Sequence, residues 1–355
     1  MNLSKTKRFD QARLDKYIEL AVYGKNANPR SISDPAGLRR VAVVLTTKCN
    51  LECVWCHREE QTIKDSGYLE NEMSFEKLEE LLPKLRGFQL IHFGGLGEPF
   101  LYKRIFDAIS LAKNYVPIVK VTTNGTPLVN VINSKISESG IDILEVSIDG
   151  FDGKTNQKFR GVDEDVIIKK LTKLSIESSI AIQVNIVVSE NNIDGLYDAV
   201  DKLSCISNLS IIHTIPLFMT EHMKELEIGR ASVERYQSLL DHLRGRIQKL
   251  GLSVKLDPDE VYMDPVITLK QQRNICFTPY EDVMINVQGN IVPCGRLQHY
   301  NLGSIYDVDE LEEIWNGSKM IAWRKSQLDG DYCVDCMREC DMKNTKRKTH
   351  LLKAV

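Results

Sequence analysis

Six short runs of apolar, β-branched residues alternate with segments of helical periodicity, and this rhythm constrains the fold of the 355-residue chain most strongly. Runs such as RVAVVLT (40–46) carry no regular polar alternation, which is typical of strands buried on both faces of a parallel sheet. Strands that alternate with helices predict βαβ units. The six runs lie at 40–46, 89–95, 118–125, 142–150, 181–188 and 209–215. We therefore predict an α/β fold, as a barrel or an open sheet.

Helical periodicity fills the stretches between these runs. The segment SFEKLEELLPKLRG (74–87) is predicted to form one helix, with Ser74 as its N-cap and Gly87 as its stop. Ile105, Ile109 and Ala112 mark one face of the next helix. Further helices are predicted near 127–139, 164–178 and 192–203, and over 221–250.

The alternation stops near residue 250, which predicts a domain boundary there. Beyond it, INVQGNIVPCG is typical of a hairpin with its turn near Gln288–Asn290. The expected units are an N-terminal helix and linker (1–38), the alternating domain (39–250), a cysteine-rich module (251–341) and a basic tail (342–355).

Composition narrows the class of protein and its compartment. The formal net charge is −3, so bulk electrostatics favours neither nucleic acid nor an anionic membrane as a partner. No apolar run approaches 18 residues, and the first 20 residues lack the apolar segment of a signal peptide. We therefore expect a cytoplasmic protein whose thiols stay reduced.

Nine cysteines in such a chain favour metal binding over disulfides. The first group lies in CNLECVWCH, where Cys49, Cys53 and Cys56 are spaced C-x3-C-x2-C. This stretch admits three kinds of site: an iron–sulfur cluster, zinc with His57 as a further ligand, or haem attached through C-x-x-C-H. A reducing compartment weakens the haem interpretation, which also leaves Cys49 without a role.

The positions of two motifs favour the cluster. CNLECVWCH follows the first predicted strand, at the carboxyl edge where α/β barrels build their sites. Three thiolates hold three irons and leave a fourth open to a small ligand. GGLGEP (94–99) follows the second strand at the same edge, where its glycines let the backbone approach a ligand and Glu98 is an acceptor for an ammonium group.

The two motifs lie on successive βα loops. In this arrangement the sequence resembles the radical S-adenosylmethionine (SAM) superfamily over about residues 38–341. The resemblance implies a partial (β/α)6 barrel followed by a small α/β module of the SPASM or twitch type. It implies that Cys49, Cys53 and Cys56 hold a four-iron, four-sulfur cluster whose open iron binds SAM.

The resemblance also assigns SAM contacts. The glycine-rich turn would hold the amino group, Trp55 would lie near the adenine, and Arg160 of KFRG would pair with the carboxylate. Polar groups that end the later strands would contact the ribose or methionine part, with Asp149 a weaker candidate. The assigned residues are Trp55, Gly94, Gly95, Glu98, Asn124, Ser147, Arg160 and Asn185. Asn124 and Ser147 would serve equally well as caps of the following helices.

The second cysteine group carries a resemblance of its own. Cys276 and Cys294 flank the predicted hairpin, and C-x2-C-x3-C follows the segment LGSIYDVDELEEIW. This pattern resembles a SPASM or twitch extension, and five cysteines fit one auxiliary four-iron, four-sulfur cluster. The expected ligands are Cys276, Cys294, Cys333 and Cys336, with Cys340 as the alternative. A structural zinc site is the competing interpretation.

The implied activity is radical chemistry on a C–H bond. SAM would be cleaved by one electron from a donor such as flavodoxin or ferredoxin, and the resulting 5′-deoxyadenosyl radical would abstract a hydrogen atom from the substrate. A small polar molecule of the sugar or aminocyclitol type, oxidised or epimerised with help from the auxiliary cluster, is the first expectation. Only about 38 residues precede the first strand, which weighs against the recognition domain of many peptide-modifying relatives. A peptide substrate and a non-catalytic iron–sulfur or zinc protein are the alternatives.

The sequence leaves the roles of three further side chains undecided. Cys205 stands alone; it is either a small buried hydrophobe or a thiol that donates a hydrogen atom to a substrate radical. His92 and His213 lie on predicted strands and would be packed core histidines or groups that face the barrel interior.

Overall fold

The structure, a computed structural model, describes residues 40–131, 133–258 and 282–329. Its strands are β1 (Arg40–Val43), β2 (Leu90–Phe93), β3 (Ile118–Thr123), β4 (Ile143–Ser147), β5 (Ala181–Val188), β6 (Leu209–Pro216), β7 (Lys255–Asp257), β8 (Asp282–Ile285), β9 (Asn290–Val292) and β10 (Gly303–Ser304). All ten form one sheet, in the order β10-β9-β8-β1-β2-β3-β4-β5-β6-β7. Pairing is parallel from β8 through β7, which confirms the predicted α/β class and all six predicted strands.

The sheet crosses the predicted domain boundary at both ends. β7 pairs with β6 beyond residue 250, and the predicted hairpin, β8–β9, adds to β1 of the same sheet. One sheet therefore spans the predicted boundary, and the division of the chain near residue 250 stays a prediction. β7 has three residues and is too short to form an apolar run. The pairing of β1 with β8 cannot be predicted from a local sequence pattern.

Helices connect the parallel strands. They are α1 (Gln61–Asp65), α2 (Phe75–Leu81), α3 (Ile105–Ala112), α4 (Asn133–Ser137), α5 (Thr155–Arg160), α6 (Glu164–Glu177), α7 (Ala199–Leu203), α8 (Glu221–Glu225), α9 (Val233–Lys249), α10 (Leu311–Trp315) and α11 (Ser318–Asp329). No helix within the described ranges combines the length and apolar character needed to cross a bilayer.

Several helices are shorter than the sequence segments that show helical periodicity. Ser74 caps α2 as predicted, because its hydroxyl accepts a hydrogen bond from the Lys77 amide. The α-helix nevertheless ends at Leu81 and continues as a 3-10 turn over Leu82–Leu85, since Pro83 has no amide hydrogen. The segment 221–250 likewise divides into α8 and α9.

The two faces of the sheet differ in character. Alternate strand residues such as Val41, Ile91, Val119, Leu144 and Ile182 are fully buried in one core with the helices. The residues between them face the concave side, and many are polar: His92, Lys120, Thr122, Glu145, Gln183, Asn185, His213 and Asp257. The outer face of the sheet is therefore stabilised by packing on the helices, whereas the concave face carries the polar side chains that can bind a ligand.

Candidate functional site

The carboxyl edge of the sheet brings the predicted loops together. The loop with Cys49, Cys53 and Cys56 follows β1, and the glycine-rich turn follows β2. The Glu98 amide donates to the Lys48 carbonyl at 2.8 Å, and this hydrogen bond joins the cysteine loop to the glycine-rich turn. The Val54 amide donates to the Phe159 carbonyl at 2.9 Å and attaches the cysteine loop to α5. The parallel topology therefore gathers at one edge the motifs that the sequence separates.

The three thiols lie on one loop, as the ligands of one cluster would. In such a cluster each thiolate binds a different iron. Burial raises the pKa of Cys53 to about 12 and also raises the pKa of Cys56, with Arg160 opposing both shifts. Coordination to iron would deprotonate these thiols and overcome the effect of burial.

Two glycines of the turn are required by close packing. Gly95 has a φ of +137°, and a Cβ there would lie 2.8 Å from the Val44 side chain. A Cβ on Gly97 would lie 2.1 Å from the Thr46 carbonyl oxygen. The glycines therefore let the turn pack directly against the strand and loop that carry the cysteines. This close packing is a second reason for glycine in the motif, in addition to the approach of a ligand.

Glu98 is a fixed element of this edge. Its side chain is 1% exposed, and one oxygen accepts from the Thr123 hydroxyl at 2.8 Å and the Phe100 amide at 3.1 Å. The other accepts from the Asn124 amide at 2.7 Å. Burial raises the pKa of Glu98, and these three donors oppose the shift. The carboxylate thus joins the turn to the end of β3, in addition to the predicted role at the SAM amino group.

Asn124 lies beside the first cysteine. Its amide nitrogen is 3.9 Å from the Cys49 sulfur and donates to the Asn50 side-chain oxygen at 3.0 Å. Thr126 closes the group, since it accepts from Asn50 at 2.8 Å and donates to Asn124 at 2.6 Å. The predicted contact residue is therefore placed next to the cysteine loop, and Asn50 is its unpredicted partner.

Asp149 is the centre of a buried network that sequence reasoning undervalued. Its carboxylate accepts from Arg160 at 2.8 Å, from the Trp55 indole at 3.1 Å and from the Val187 amide at 2.7 Å. Trp55 also stacks on Phe159, with ring centroids 4.4 Å apart. Asp149 thereby fixes two predicted SAM contacts, Trp55 and Arg160, in place.

The positive charge of Arg160 faces the thiols. Although burial opposes its charge, Asp149 and Cys53 raise the pKa of Arg160, so the guanidinium stays protonated. Its Nε atom is buried and has no hydrogen-bond partner among the described residues. A donor left over beside the cysteine loop suits an anionic ligand, as a cluster with bound SAM carboxylate would be.

Ser147 and Asn185 are direct neighbours across the β4–β5 pair. The Asn185 side-chain oxygen is buried without a hydrogen-bond partner in the described part of the chain. Ser147 ends β4 and is half-buried. Both predicted contacts therefore point from the concave face at the carboxyl edge.

His57 forms a contact between the two halves of the chain. It is buried, and its Nε2 atom lies 2.8 Å from the carbonyl oxygen of Arg296, two residues after Cys294. This contact uses one of the two ring nitrogens of His57 and joins the cysteine loop to the segment after Cys294. Cys294 is half-buried at the end of the hairpin, whereas Cys276, Cys333, Cys336 and Cys340 lie outside the described residues.

Cys205 lies far from this edge. It is exposed between α7 and the start of β6, where its thiol donates a hydrogen bond to the Lys202 carbonyl at 3.3 Å. The loops of the site follow the opposite ends of the strands. Neither the buried role nor the hydrogen-donor role considered for Cys205 agrees with this position.

Comparisons with known proteins match both modules. Residues 43–203 match the Radical SAM superfamily, and residues 276–341 match the SPASM iron–sulfur cluster-binding domain. The tungsten-containing aldehyde ferredoxin oxidoreductase cofactor-modifying protein of Pyrococcus furiosus is 25% identical over 328 residues, which cover 85% of this chain and 88% of that protein. A probable GTP 3′,8-cyclase of Pyrococcus horikoshii is 30% identical over 218 residues, 60% of this chain and 66% of that protein.

A solved structure shares the fold. Streptococcus suis SuiB bound to precursor peptide SuiA aligns with a TM-score of 0.64 at 16% identity, over 94% of this chain and 73% of that one. SuiB bound to S-adenosylmethionine aligns with a TM-score of 0.65 at 16% identity, over 86% of this chain and 71% of that one. At this identity the likeness concerns the fold alone.

Proposed function

Because the chain belongs to the radical SAM superfamily and carries a C-terminal SPASM domain, we propose that it abstracts a hydrogen atom from a small polar substrate and oxidises or epimerises it. When bound, the cluster would supply the one electron that cleaves SAM to methionine and a 5′-deoxyadenosyl radical, and that radical would take the hydrogen atom from a C–H bond. The observation that carries the proposal is the gathering of three thiols, an unpaired guanidinium Nε and the strand-end residues Asn124, Ser147 and Asn185 at one edge.

The protein's own residues bind and orient in this proposal. Cys49, Cys53 and Cys56 hold the cluster, and Arg160 offers its Nε–H to the SAM carboxylate while Asp149 fixes its orientation. Ser147 and Asn185 face the ribose side, and Trp55 borders the adenine. Fixed groups in a buried edge exclude water from a reactive radical and bring the substrate to it in one orientation.

The names of the sequence relatives support a small-molecule substrate. The cyclases are named for GTP, and the Pyrococcus furiosus protein is named for modifying a cofactor. The polar concave face agrees with such a ligand. The peptide alternative rests on SuiB, whose likeness to this chain concerns the fold alone.

The auxiliary cluster is proposed to accept the second electron when a substrate radical is oxidised. Cys276, Cys294, Cys333 and Cys336 are its proposed ligands, with Cys340 as the alternative. Iron near eight atoms per chain after anaerobic reconstitution is expected for two clusters. Iron near four atoms with one zinc would contradict this part of the proposal.

The activity is tested by anaerobic reconstitution followed by dithionite and SAM. We expect 5′-deoxyadenosine from the wild-type protein and none from Cys53→Ala, which lacks one of the three cluster ligands. Cys205→Ala is the matched control, because it removes an exposed thiol outside the site. Equal product from Cys53→Ala and the wild type would refute the proposed role of this loop.

A further inference from the structure

A polar row crosses the concave face from the proposed SAM contacts to β7. The strand register pairs Ser147 with Asn185, Asn185 with His213, and His213 with Asp257. Neighbouring strands lie about 4.8 Å apart, so His213 is one strand away from Asn185. Gln183 faces the same side two residues before Asn185.

Two amides in this row are unsatisfied. The side-chain oxygens of Gln183 and Asn185 are buried and accept no hydrogen bond from the residues that the structure describes. Gln183 is only 1% exposed. A buried polar group without a partner costs free energy and is rare in native proteins. The ribose of SAM, proposed above as the partner of Asn185, leaves the Gln183 oxygen for a second hydroxyl-bearing ligand.

The charges of the concave face are unequally compensated. Lys120 forms an ion pair with Glu145, and both are about 6% exposed. Thr122 also donates to Glu145 at 2.7 Å, so this carboxylate is satisfied. Asp257 instead faces His213, whose Nε2 is 3.5 Å away and whose pKa is lowered by burial.

The neighbour of the Asp257 carboxylate across the strand pair is therefore a histidine and not a lysine or arginine. Within the described ranges, no lysine or arginine forms an ion pair with it; Lys255, two positions earlier on β7, does not reach it. A partly buried carboxylate of this kind is complementary to an ammonium group.

We infer that Gln183, His213 and Asp257 form the substrate site, next to the ribose contact Asn185, and that the substrate is a small polyhydroxylated amine. The Gln183 amide and the imidazole bind hydroxyl groups, and Asp257 binds the ammonium. The row starts at the proposed ribose contacts, so the bound molecule presents its C–H bonds next to them. This assignment rests on the proposed function and adds the substrate's chemical class and the residues that recognise it.

Binding to the reconstituted holoenzyme with SAM tests the inference by anaerobic calorimetry. The probes are 2-deoxystreptamine and glucosamine as amines, myo-inositol as the neutral match and glucuronate as the anionic match. We expect at least one amine to bind about tenfold tighter than the neutral and anionic probes, because a charge-assisted hydrogen bond contributes on that order. Failure of both amines to bind, or preference for glucuronate, would overturn the inference.

Asp257→Asn separates the proposed charge from the shape of the site. We expect this variant to lose the preference for the amine, whereas the 5′-deoxyadenosine formed from SAM alone reports separately on the cluster site. Asp241→Asn, the same change on the exposed surface of α9, should leave both unchanged. If the wild type cleaves SAM but Asp257→Asn still prefers the amine, the inference fails and the proposed function stands. If the wild type does not cleave SAM, the proposed function itself fails.

Gln183→Leu separates a binding role from a structural one. Since the Gln183 oxygen has no partner to lose, a leucine of similar size should leave the melting temperature equal or higher. The same variant should weaken amine binding about tenfold. A lower melting temperature with unchanged binding would show that the amide serves the fold and would contradict its place in the site.

Discussion

At the residue scale, single side chains hold several predicted contacts in position. Asp149 connects Arg160, Trp55 and the backbone of β5, and its side chain is 1% exposed. The sequence predicts Arg160 and Trp55 from their motifs but gives no reason to join them through Asp149. Such a pairing depends on how α5 returns over the sheet, which no local pattern encodes.

Asp149→Asn should strongly destabilise the protein. It leaves the buried Arg160 charge without its partner, and breaking a buried pair costs about 3–5 kcal/mol. Asp165→Asn, which breaks a surface pair with Lys202, is the matched control and should cost at most about 1 kcal/mol. Denaturant unfolding of the two variants measures the difference. Similar losses in both would contradict the assignment of Asp149 as the centre of the network.

His92 should make the fold sensitive to acid. Burial, followed by Lys120, lowers its pKa from 6.5 to about 3 in the folded protein. Between these values the unfolded chain binds a proton that the folded chain excludes, so stability falls as the pH drops below 6.5. Glu145 acts in the same direction at lower pH: burial opposes the shift, but Lys120 lowers its pKa from 4.5 to about 2.

Burial lowers the pKa of both His92 and His213, so both contribute to the fall in stability between pH 6.5 and 4.5, and a His92 variant removes the share of His92. Melting temperature measured across this pH range should fall with acid in the wild type and stay flatter in His92→Gln. His242→Gln, a change on the exposed side of α9, should keep the wild-type slope. An unchanged slope in His92→Gln would contradict a buried, neutral His92.

At the element scale, strands were easier to predict than helix ends or long-range pairings. Every predicted strand exists because its apolar run builds the outer face of the sheet. The helices over 74–87 and 221–250 are interrupted, in the first case by Pro83, whose effect outweighs the periodicity. The parallel pairing of β8 with β1 was not predictable, because more than 200 residues separate the two strands.

Gly97→Ala tests how closely the glycine-rich turn packs on the cysteine loop. A Cβ would meet the Thr46 carbonyl at 2.1 Å, so the backbone has to move. We expect lower iron content after reconstitution and weaker iron–sulfur absorbance. Gly245→Ala in α9 is the control, since nothing lies within 4 Å of its Cβ and alanine favours a helix by about 0.5–1 kcal/mol. Full iron content in Gly97→Ala would show that the turn tolerates a side chain.

At the scale of the whole molecule, one sheet joins the barrel to the C-terminal hairpin. β8 pairs with β1, and His57 contacts Arg296, so the loop of the first cysteine group lies against the segment after Cys294. The sequence predicts both cysteine groups and the edge of the sheet where the first lies. It does not predict that His57, inside C-x-x-C-H, connects the two, because its partner is 239 residues away.

The chain, whose residues 43–203 match the Radical SAM superfamily, is proposed to take a hydrogen atom from a small polar amine. The direct measurement is deuterium transfer into 5′-deoxyadenosine, followed by mass spectrometry. Metabolites from cells grown in heavy water, separated into cationic, neutral, anionic and peptide fractions, supply the label. We expect deuterium in 5′-deoxyadenosine with the cationic small-molecule fraction and its loss in Asp257→Asn. Deuterium from the peptide fraction alone, or from none of the fractions, would contradict it.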